Sequence, residues 1–337
     1  RVLLALSPRR LSNLPASHIE IFQDELRPTV RRMFNYAYML ELSRGLARTV
    51  RNKVFVYYLY EHNYGKLLSF HLHENNITLG CQHGTMSHLR LGQYLTPEEL
   101  MATAFPDYIV AEGTNHQDAL EWIHPGISVQ VLGAPRVEHL AGITAASSEH
   151  DGAETTVLVP LSLHGNLDIL EHVIEAYRAD AGVRFYVKPH PAGGVKQHNL
   201  VLEYLKAAGL TAERASALIY DGVLSDLLGR VDYVLFADTS VGLEFAEVGA
   251  IPVGAEPADR LDMCPLVDLG VFAPDIPRER YTVSRPTELL ERLSGGVPTA
   301  RAQLIPKDFY FAHIGSSTEK WADFIRSQVD HAKALPR

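Results

Sequence analysis

The sequence predicts an α/β protein of two Rossmann-like domains, each with a parallel sheet, facing each other across a cleft. Three observations support this prediction. The chain has 337 residues, which is more than one hydrophobic core usually serves and favours two domains. Short β-branched or apolar runs alternate with longer segments of helical period, as in βαβ units. A run of small and polar residues near the middle interrupts this alternation and predicts a linker.

The alternation assigns the elements in order. Strands are predicted at residues 2–6, 54–60, 77–81, 108–111 and 129–132 of the first half, and at 156–161, 184–187, 217–220, 233–237 and 251–254 of the second. Helices are predicted at 28–50, 64–74, 97–104, 115–122, 167–179, 200–208, 225–228 and 241–248, with a last helix at 318–334 after irregular chain.

The linker at residues 143–155 predicts one domain over 1–148 and a second over 149–316. Residues 317–337 are expected to fold as a helix that packs back on the first domain. Because the chain begins with Arg rather than Met, we expect that it is part of a longer polypeptide.

Composition excludes some classes of function. The 31 basic and 40 acidic residues give a net charge of −9, which argues against binding to nucleic acid or broad capture by an anionic membrane. No run of about 18 apolar residues and no cleavable signal is found, so the expected location is the cytoplasm, with peripheral contact at the inner membrane face left open. Cys81 and Cys264 are expected to be buried, reduced and structural.

Ligands of open α/β sheets bind beyond the carboxyl ends of the strands, so residues that follow predicted strands are the candidates for a site. After strand 77–81 come Gln82, His83, Gly84 and Thr85. A histidine at a sharp glycine turn is well placed for proton transfer. The alternative is a histidine that only bonds a carbonyl of the turn.

Strand 184–187 is followed by Lys188, and then by His190 between two prolines, the second of which is Pro191. A lysine charge beside a rigidly held ring suits a phosphate or diphosphate. A rigid turn with an exposed histidine is the alternative.

Strand 233–237 is followed by Thr239 and Ser240 at the start of a helix. Hydroxyls and free amides there predict an anion site, although a plain helix cap accounts for them equally well. Glu244, one turn into the helix, is predicted to accept the hydroxyls of a ribose.

Four weaker candidates follow other strands or open a helix: Glu61, Glu112, Arg136 and His164. The pair His71 and His73 falls within a helical period, which argues against a metal site. No Asp-x-Asp at a strand end, Cys-x-x-Cys, Gly-x-Gly-x-x-Gly or Gly-x-Ser-x-Gly motif is present, so NAD chemistry and a serine hydrolase lose support.

In this order the motifs resemble GT-B glycosyltransferases, and more narrowly bacterial surface-polysaccharide enzymes: capsule and lipopolysaccharide transferases, CMP-Kdo and sialic acid transferases, and CDP-glycerol glycerophosphotransferases. The residues that carry the resemblance are Gln82-His83-Gly84-Thr85, Gly133-Ala134-Pro135-Arg136, Lys188-Pro189-His190-Pro191 and Thr239-Ser240. The sialic acid transferases have two acidic residues before a glycine, whereas this chain has only Glu112 before Gly113.

The resemblance implies a metal-independent transferase without a cofactor, which moves a sugar, Kdo or a nonulosonic acid among others, from a nucleotide donor to a glycan or lipid-linked glycan. Domain 1–148 would bind the acceptor and domain 149–316 the donor. His83 would be the general base, with Glu61 or Glu112 as alternatives, and Gln82, Gly84, Thr85 and Arg136 would line the acceptor side. The donor would be held by Lys188, His190, Pro191, Thr239, Ser240, Glu244 and His164.

Three alternatives remain open on the sequence: a CDP-polyol phosphotransferase, a nucleotide-sugar epimerase, and a two-lobed protein that binds a nucleotide without turning it over.

Overall fold

A computed structural model of the chain describes residues 27–82, 84, 87–89, 93–124, 126–143, 154–163, 167–179, 182–256, 264–295 and 305–335. Of residues 27–30 only the backbone is described. Among all of these residues, no helix combines the length and the apolar character needed to cross a membrane.

Strands and helices alternate along the described chain, as the sequence predicts. The strands are β1 Val54–Tyr58, β2 Ile77–Cys81, β3 Tyr108–Ala111, β4 Val129–Val131, β5 Thr155–Pro160, β6 Val183–Lys188, β7 Tyr233–Phe236, β8 Ile251–Ala255 and β9 Thr282–Val283. The α-helices are α1 Arg27–Thr49, α2 Asn63–Leu72, α3 Pro97–Met101, α4 Thr114–Ile123, α5 Ile169–Arg178, α6 Gly194–Ala207, α7 Ala212–Leu218, α8 Val241–Glu247, α9 Val267–Phe272, α10 Pro286–Ser294 and α11 Ser317–Ala334.

The strands form two parallel sheets. One has four strands in the order β1-β2-β3-β4, and the other has five in the order β6-β5-β7-β8-β9. The predicted α/β class with parallel sheets is therefore confirmed. By contacts between Cα atoms the chain divides into two compact units. The smaller unit consists of Arg1–Gly80, Thr96–Asp107 and Gln328–Arg337, and the larger of Cys81–Leu95 and Tyr108–Ser327.

The five-stranded sheet is apolar on both faces. Val157 and Val159 of β5 belong to one buried cluster, whereas Leu158 between them belongs to a second. Because side chains alternate along a strand, the two clusters lie on opposite faces of the sheet. Helices cover both faces of such parallel sheets, so the strands read as continuous apolar runs without alternation.

Most predicted elements agree with the structure to within a few residues, but the predicted strand 217–220 is wrong. Helix α7 occupies Ala212–Leu218 instead, and Ile219 makes only a single bridge, to Val187. The side chain of Thr211 caps this helix by accepting the N–H of Arg214. The alanine-rich segment that follows has high helix propensity, which outweighs the apolar run at its end.

Regular structure also forms where the sequence predicted irregular chain after β8, namely in α9, β9 and α10. Strand β9 has two residues, too few for a periodic pattern. Helix α10 carries a start signal that was overlooked, because Pro286 is its first residue and Glu288 accepts the N–H groups of Ser284 and Arg285.

Helix α11 begins beside the Glu138 carboxylate, which accepts the N–H and hydroxyl of Thr318 and the hydroxyl of Ser317. These hydrogen bonds lower the pKa of Glu138. One turn on, the indole N–H of Trp321 donates to the carbonyl of Gly133. The predicted strand 2–6 and most of the predicted linker lie outside the described residues. The domain boundaries after residues 148 and 316 stay predictions.

Candidate functional site

The carboxyl ends of β5, β6 and β7 form the edge of the sheet where several predicted site residues lie. Strands β5 and β7 are neighbours, and the connection that leaves β5 runs to β6 on one side, whereas the connection that leaves β7 runs to β8 on the other. Ligands of open α/β sheets bind outside the strand ends at such a switch point. Lys188 ends β6 and His190 follows it, and Thr239 and Ser240 follow β7, which puts all four at this edge.

The His190 ring is fixed by the backbone of its own turn. Its Nδ1 accepts the N–H of Ala192 at 3.1 Å. Since a backbone N–H can only donate, the neutral ring carries its proton on Nε2. His190 is half-buried, and among the described residues nothing hydrogen-bonds this Nε2. His190 therefore presents an N–H donor, which suits an anionic ligand.

The Gln197 side chain supports this turn through hydrogen bonds, a role that was not predicted from the sequence. Its side-chain oxygen accepts the backbone N–H of His190 at 2.6 Å, and its nitrogen donates to the carbonyl of Ser162 at 2.7 Å. Gln197 is buried in α6. It therefore links the turn after β6 to the loop after β5. Pro191 opens a short 3₁₀ turn, Pro191–Gly193, directly after His190.

Lys188 already makes two strong contacts. Its ammonium donates to the carbonyls of Tyr220 and Gly222, at 3.2 and 2.8 Å, and lies 5.5 Å from the centre of the Tyr220 ring. An ammonium group has three N–H donors, so one remains for a ligand. Lys188 thus both fastens the loop after α7 and carries positive charge at the sheet edge.

The hydroxyl pair lies at the start of α8. The side-chain oxygen of Thr239 accepts the N–H of Val241 at 3.4 Å, whereas the Ser240 side chain makes no capping hydrogen bond. Because α8 has only seven residues, we assign no anion site to its N-terminus. The hydroxyls of Thr239 and Ser240 remain candidate ligand contacts.

Three predicted residues meet in one ion-pair cluster. Arg136 donates from Nε and Nη2 to the two oxygens of Glu112, at 3.0 and 2.8 Å, and from Nη1 to Glu244. Burial lowers the pKa of Arg136, but its hydrogen bonds and charge interactions with Glu112 and Glu244 outweigh burial and raise that pKa overall. Both oxygens of Glu112 are occupied, so a role as base would require this pair to open. The Glu244 oxygen that does not face Arg136 has no hydrogen bond to the described residues.

The connection from β3 to α4, residues 112–115, is braced by the segment 308–312. The N–H groups of Thr114 and Asn115 donate to the carbonyls of Asp308 and Phe309, and Ala312 donates to the carbonyl of Glu112. A Cβ on Gly113 would lie 2.2 Å from the carbonyl oxygen of Phe309, so a side chain is excluded there. Glu112 and Asn115 are therefore held on a rigid stretch.

Asn115 belongs to a second cluster that the sequence did not predict, around the fully buried Asp268 of α9. One oxygen of Asp268 accepts both the backbone N–H of His88, at 3.0 Å, and the ring Nδ1 of His88, at 2.7 Å. Its other oxygen accepts the side-chain N–H of Asn115 at 3.3 Å. The sequence offered one signal for this cluster, since His88 ends the polar segment that begins at Gln82. Asp268 lies in chain that was predicted to be irregular.

Of the predicted acceptor-side residues, Gln82 supports the backbone. Its side chain donates to the carbonyl of Gly84 at 2.9 Å and accepts the N–H of Glu112 at 2.7 Å. Gly84 has φ +69°, a left-handed conformation that favours glycine. His83, Thr85 and His164 lie outside the described residues. Their roles stay predictions.

Glu61 belongs to the smaller unit and is the third residue after the end of β1. Its side chain is 9% exposed, and Oε1 lies 3.9 Å from Nε2 of His62. Its Oε2 is buried without a hydrogen bond to any described residue. Burial and the Glu61 charge together raise the pKa of Tyr64. The proposed role of Glu61 as a base stays a prediction.

Within the described ranges, no group of three or more His, Cys, Asp or Glu side chains could hold a metal ion. His71 and His73 lie at the end of α2, in agreement with the predicted helical period. Cys81 and Cys264 are buried and form no disulfide, as predicted.

No protein-family model matches the chain, and no curated protein sequence does so either. Solved structures do match in fold. The S. aureus MnaA–UDP complex aligns with TM-score 0.56 at 10% identity, over 90% of this chain and 83% of its own. The Methanocaldococcus jannaschii UDP-GlcNAc 2-epimerase, in complex with UDP-GlcNAc and UDP, aligns with TM-score 0.54 at 15% identity, over 87% and 80%.

The glycotransferase of kitacinnamycin aligns with TM-score 0.52 at 12% identity, over 96% of this chain and 85% of its own. The chain spans 58% of the length of a longer Streptococcus pneumoniae accessory secretory protein and 56% of a Thermobaculum terrenum O-GlcNAc transferase, both of which align less well, with TM-scores of 0.46 and 0.42. At these identities the similarity concerns architecture. The chain has the GT-B fold, as its sequence predicts.

Proposed function

We propose that the chain is a metal-independent glycosyltransferase that moves a sugar from a nucleotide donor, with a CMP-sugar favoured, onto a surface glycan acceptor. The observation that carries this proposal is that Lys188 and His190 both present N–H donors at the switch point of the five-stranded sheet. His190 offers an N–H donor on Nε2, and Lys188 has one N–H left over. Together they suit the phosphate of a nucleotide.

The chemistry requires charge stabilisation at that position. When the sugar leaves, negative charge develops on the phosphate oxygen, and prearranged donors stabilise this charge without reorganising. Lys188, His190 and the hydroxyls of Thr239 and Ser240 would supply these donors in place of a metal ion. The Glu244 oxygen that faces away from Arg136 would accept a hydrogen bond from a ribose hydroxyl, while Arg136 holds the second Glu244 oxygen. In this proposal residues 149–316 are the donor domain, and the reaction takes place in the cytoplasm, with the inner membrane face as the site of a lipid-linked acceptor.

The proposal is tested first by binding. CMP, CDP and UDP are added to the protein and its melting temperature is measured. A nucleotide at about 100 times its Kd adds about 2.7 kcal/mol to the free energy of unfolding. We expect CMP to stabilise the parent and to lose this effect in His190→Ala. Stabilisation by UDP far above that by CMP would overturn the CMP preference.

Turnover then separates the alternatives. CMP-Kdo, CMP-N-acetylneuraminic acid, UDP-N-acetylglucosamine and CDP-glycerol are each incubated with the protein in EDTA, with and without saccharide acceptors. Transfer of the sugar supports the proposal, and consumption of CDP-glycerol alone supports a polyol phosphotransferase. Conversion of a nucleotide sugar to its epimer without acceptor supports an epimerase. Binding without any turnover indicates a nucleotide-binding protein that is not an enzyme.

A further inference from the structure

We infer that His88 is the general base of the transfer and that Trp122 beside it is the platform on which a sugar ring of the acceptor stacks. This inference rests on the proposed function and adds to it the acceptor side of the reaction. Asp268 acts through His88 as a positioning residue. The sequence motifs suggested none of these three roles.

The His88 ring is held in one tautomer by Asp268. Asp268 is fully buried and accepts three hydrogen bonds, two from His88 and one from Asn115. An ionised carboxylate has acceptors only, so the Nδ1 of His88 carries a proton that it donates. The neutral ring therefore has its lone pair on Nε2. This is the tautomer that a general base requires.

The lone pair on Nε2 of His88 is accessible. The His88 side chain is 13% exposed. Its Nε2 makes no hydrogen bond within the described part of the chain, and it does not appear among the buried polar atoms that lack a partner there. The ring is thus held on one side by Asp268 and open on the other. A histidine whose only role was to join two segments would not need its second nitrogen accessible.

The aromatic side chains beside the His88 ring indicate which ligand binds next to its Nε2. The rings of Trp122 and Phe272 meet the His88 ring edge to face, with centroids 5.9 and 6.1 Å away. Trp122 is 59% exposed although it is large and apolar. A broad exposed aromatic side chain beside a polar group fits the C–H face of a pyranose, whose hydroxyls then reach the polar group. The matching ligand is a saccharide.

The reaction follows with all atoms balanced. Nε2 of His88 takes the proton of an acceptor hydroxyl, and the acceptor oxygen forms a bond to the anomeric carbon of the donor sugar. The bond from that carbon to the phosphate oxygen breaks, and its electron pair leaves on the nucleotide phosphate. His88 then returns the proton to solvent. Asp268 stabilises the doubly protonated ring between these steps, as the carboxylate does in a Ser-His-Asp triad.

The decisive variant is His88→Asn. An asparagine nitrogen can occupy the place of Nδ1 and keep the hydrogen bond to Asp268, but it provides no base. The assays are donor hydrolysis, in which water replaces the acceptor, and transfer from the donor found above to octyl glycosides of glucose, galactose and N-acetylglucosamine. We expect kcat to fall about 10²- to 10⁴-fold in both assays, with nucleotide Kd and melting temperature close to the parent values.

Three further variants test the remaining roles. Asp268→Asn should lower kcat at least about tenfold without changing donor KM, and should remove the downfield Nδ1 proton resonance of ¹⁵N-labelled His88. Trp122→Ala should raise KM for the octyl glycosides about tenfold, and Trp122→Phe should restore most of the affinity.

The outcomes separate this inference from the proposed function. If His88→Asn keeps kcat within threefold of the parent while His83→Gln abolishes it, the base is His83 and the inference is wrong. An unchanged glycoside KM in Trp122→Ala overturns the acceptor platform. If the parent itself neither transfers nor hydrolyses any of the donors, the proposed function has failed, and the inference fails with it.

Discussion

His88 lies in the segment after β2 and His190 in the turn after β6. Their rings are held by opposite kinds of partner. The Nδ1 of His88 donates to a buried carboxylate, whereas the Nδ1 of His190 accepts a backbone N–H. The first ring is left with a lone pair on Nε2 and the second with an N–H. One can take a proton and the other can only donate a hydrogen bond while neutral. The partner, and not the residue type, decides which chemistry a histidine can perform.

This difference fits the two ends of a transfer reaction. An acceptor hydroxyl must lose a proton, and a departing phosphate must be stabilised by donors. The two rings would divide these tasks without exchanging roles. The predictions that follow test this division, from the largest expected effect to the smallest.

Among these predictions, the largest effect is expected at His190. In His190→Gln the amide nitrogen replaces the Nε2 donor, and transfer should stay within about tenfold of the parent. In His190→Asn the amide keeps the contact with Ala192 but does not reach the phosphate, so kcat should fall about 10²-fold, the effect of removing one such donor. Steady-state kinetics measure both. At position 88 neither amide should restore activity, because no amide is a base. Equal behaviour of Gln and Asn at 190 would contradict the assignment of the donor.

The second prediction concerns the link between the clusters, since Arg136 pairs with Glu112, three residues before Asn115. Arg136→Met removes the guanidinium that pairs with the largely buried Glu112 carboxylate. The Arg136 side chain is 39% exposed, so the loss is smaller than for a buried pair, and we expect the free energy of unfolding to fall by about 1–3 kcal/mol. Urea unfolding measures it. The double variant Glu112→Gln/Arg136→Met should recover part of the loss, and a further loss there would disprove the pairing argument.

A smaller effect is expected from Gln197→Ala, which removes the support of the His190 turn. The buried N–H of His190 and carbonyl of Ser162 would each lose a partner, at about 1–2 kcal/mol of stability in total. We also expect weaker nucleotide binding in a thermal-shift titration, with the His88 resonance unchanged. Movement of the His88 resonance would show that the two histidine sites are not independent.

The smallest effect is expected at a third histidine, His172, whose surroundings differ from those of His88 and His190. Both ring nitrogens of His172 in α5 are buried without a hydrogen bond to the described residues. Burial lowers the pKa of His172, although the charges of Glu171, Asp168 and Glu288 act in the opposite direction. The unfolded chain therefore takes up a proton before the folded one does, so His172 reduces stability as the pH falls below about 6.5.

His172→Leu should lessen this loss. Melting temperatures between pH 7.5 and 5.5 would fall less steeply in the variant than in the parent. His331→Leu, at an exposed position of α11, is the control and should leave the slope unchanged. A parent slope equal to that of His172→Leu would show that the buried ring does not govern this pH range.

Much of this protein was determined by its sequence alone. The alternation of apolar runs and helical segments fixed the α/β class and the bounds of most elements, because burial on both faces of a parallel sheet demands continuous apolar strands. Residues at strand ends gave Lys188, His190, Glu112, Arg136 and Glu244, since strand polarity brings such ends to one edge.

Only the tertiary structure decided which partners these residues have. Asp268 comes 180 residues after His88, in chain without periodicity, and no local pattern predicts their contact. The joining of Glu112 and Glu244 through Arg136 likewise spans distant segments. The reason is physical: the proton position on a histidine and the free oxygen of a carboxylate depend on neighbours in space, whereas periodicity and motifs report only neighbours along the chain.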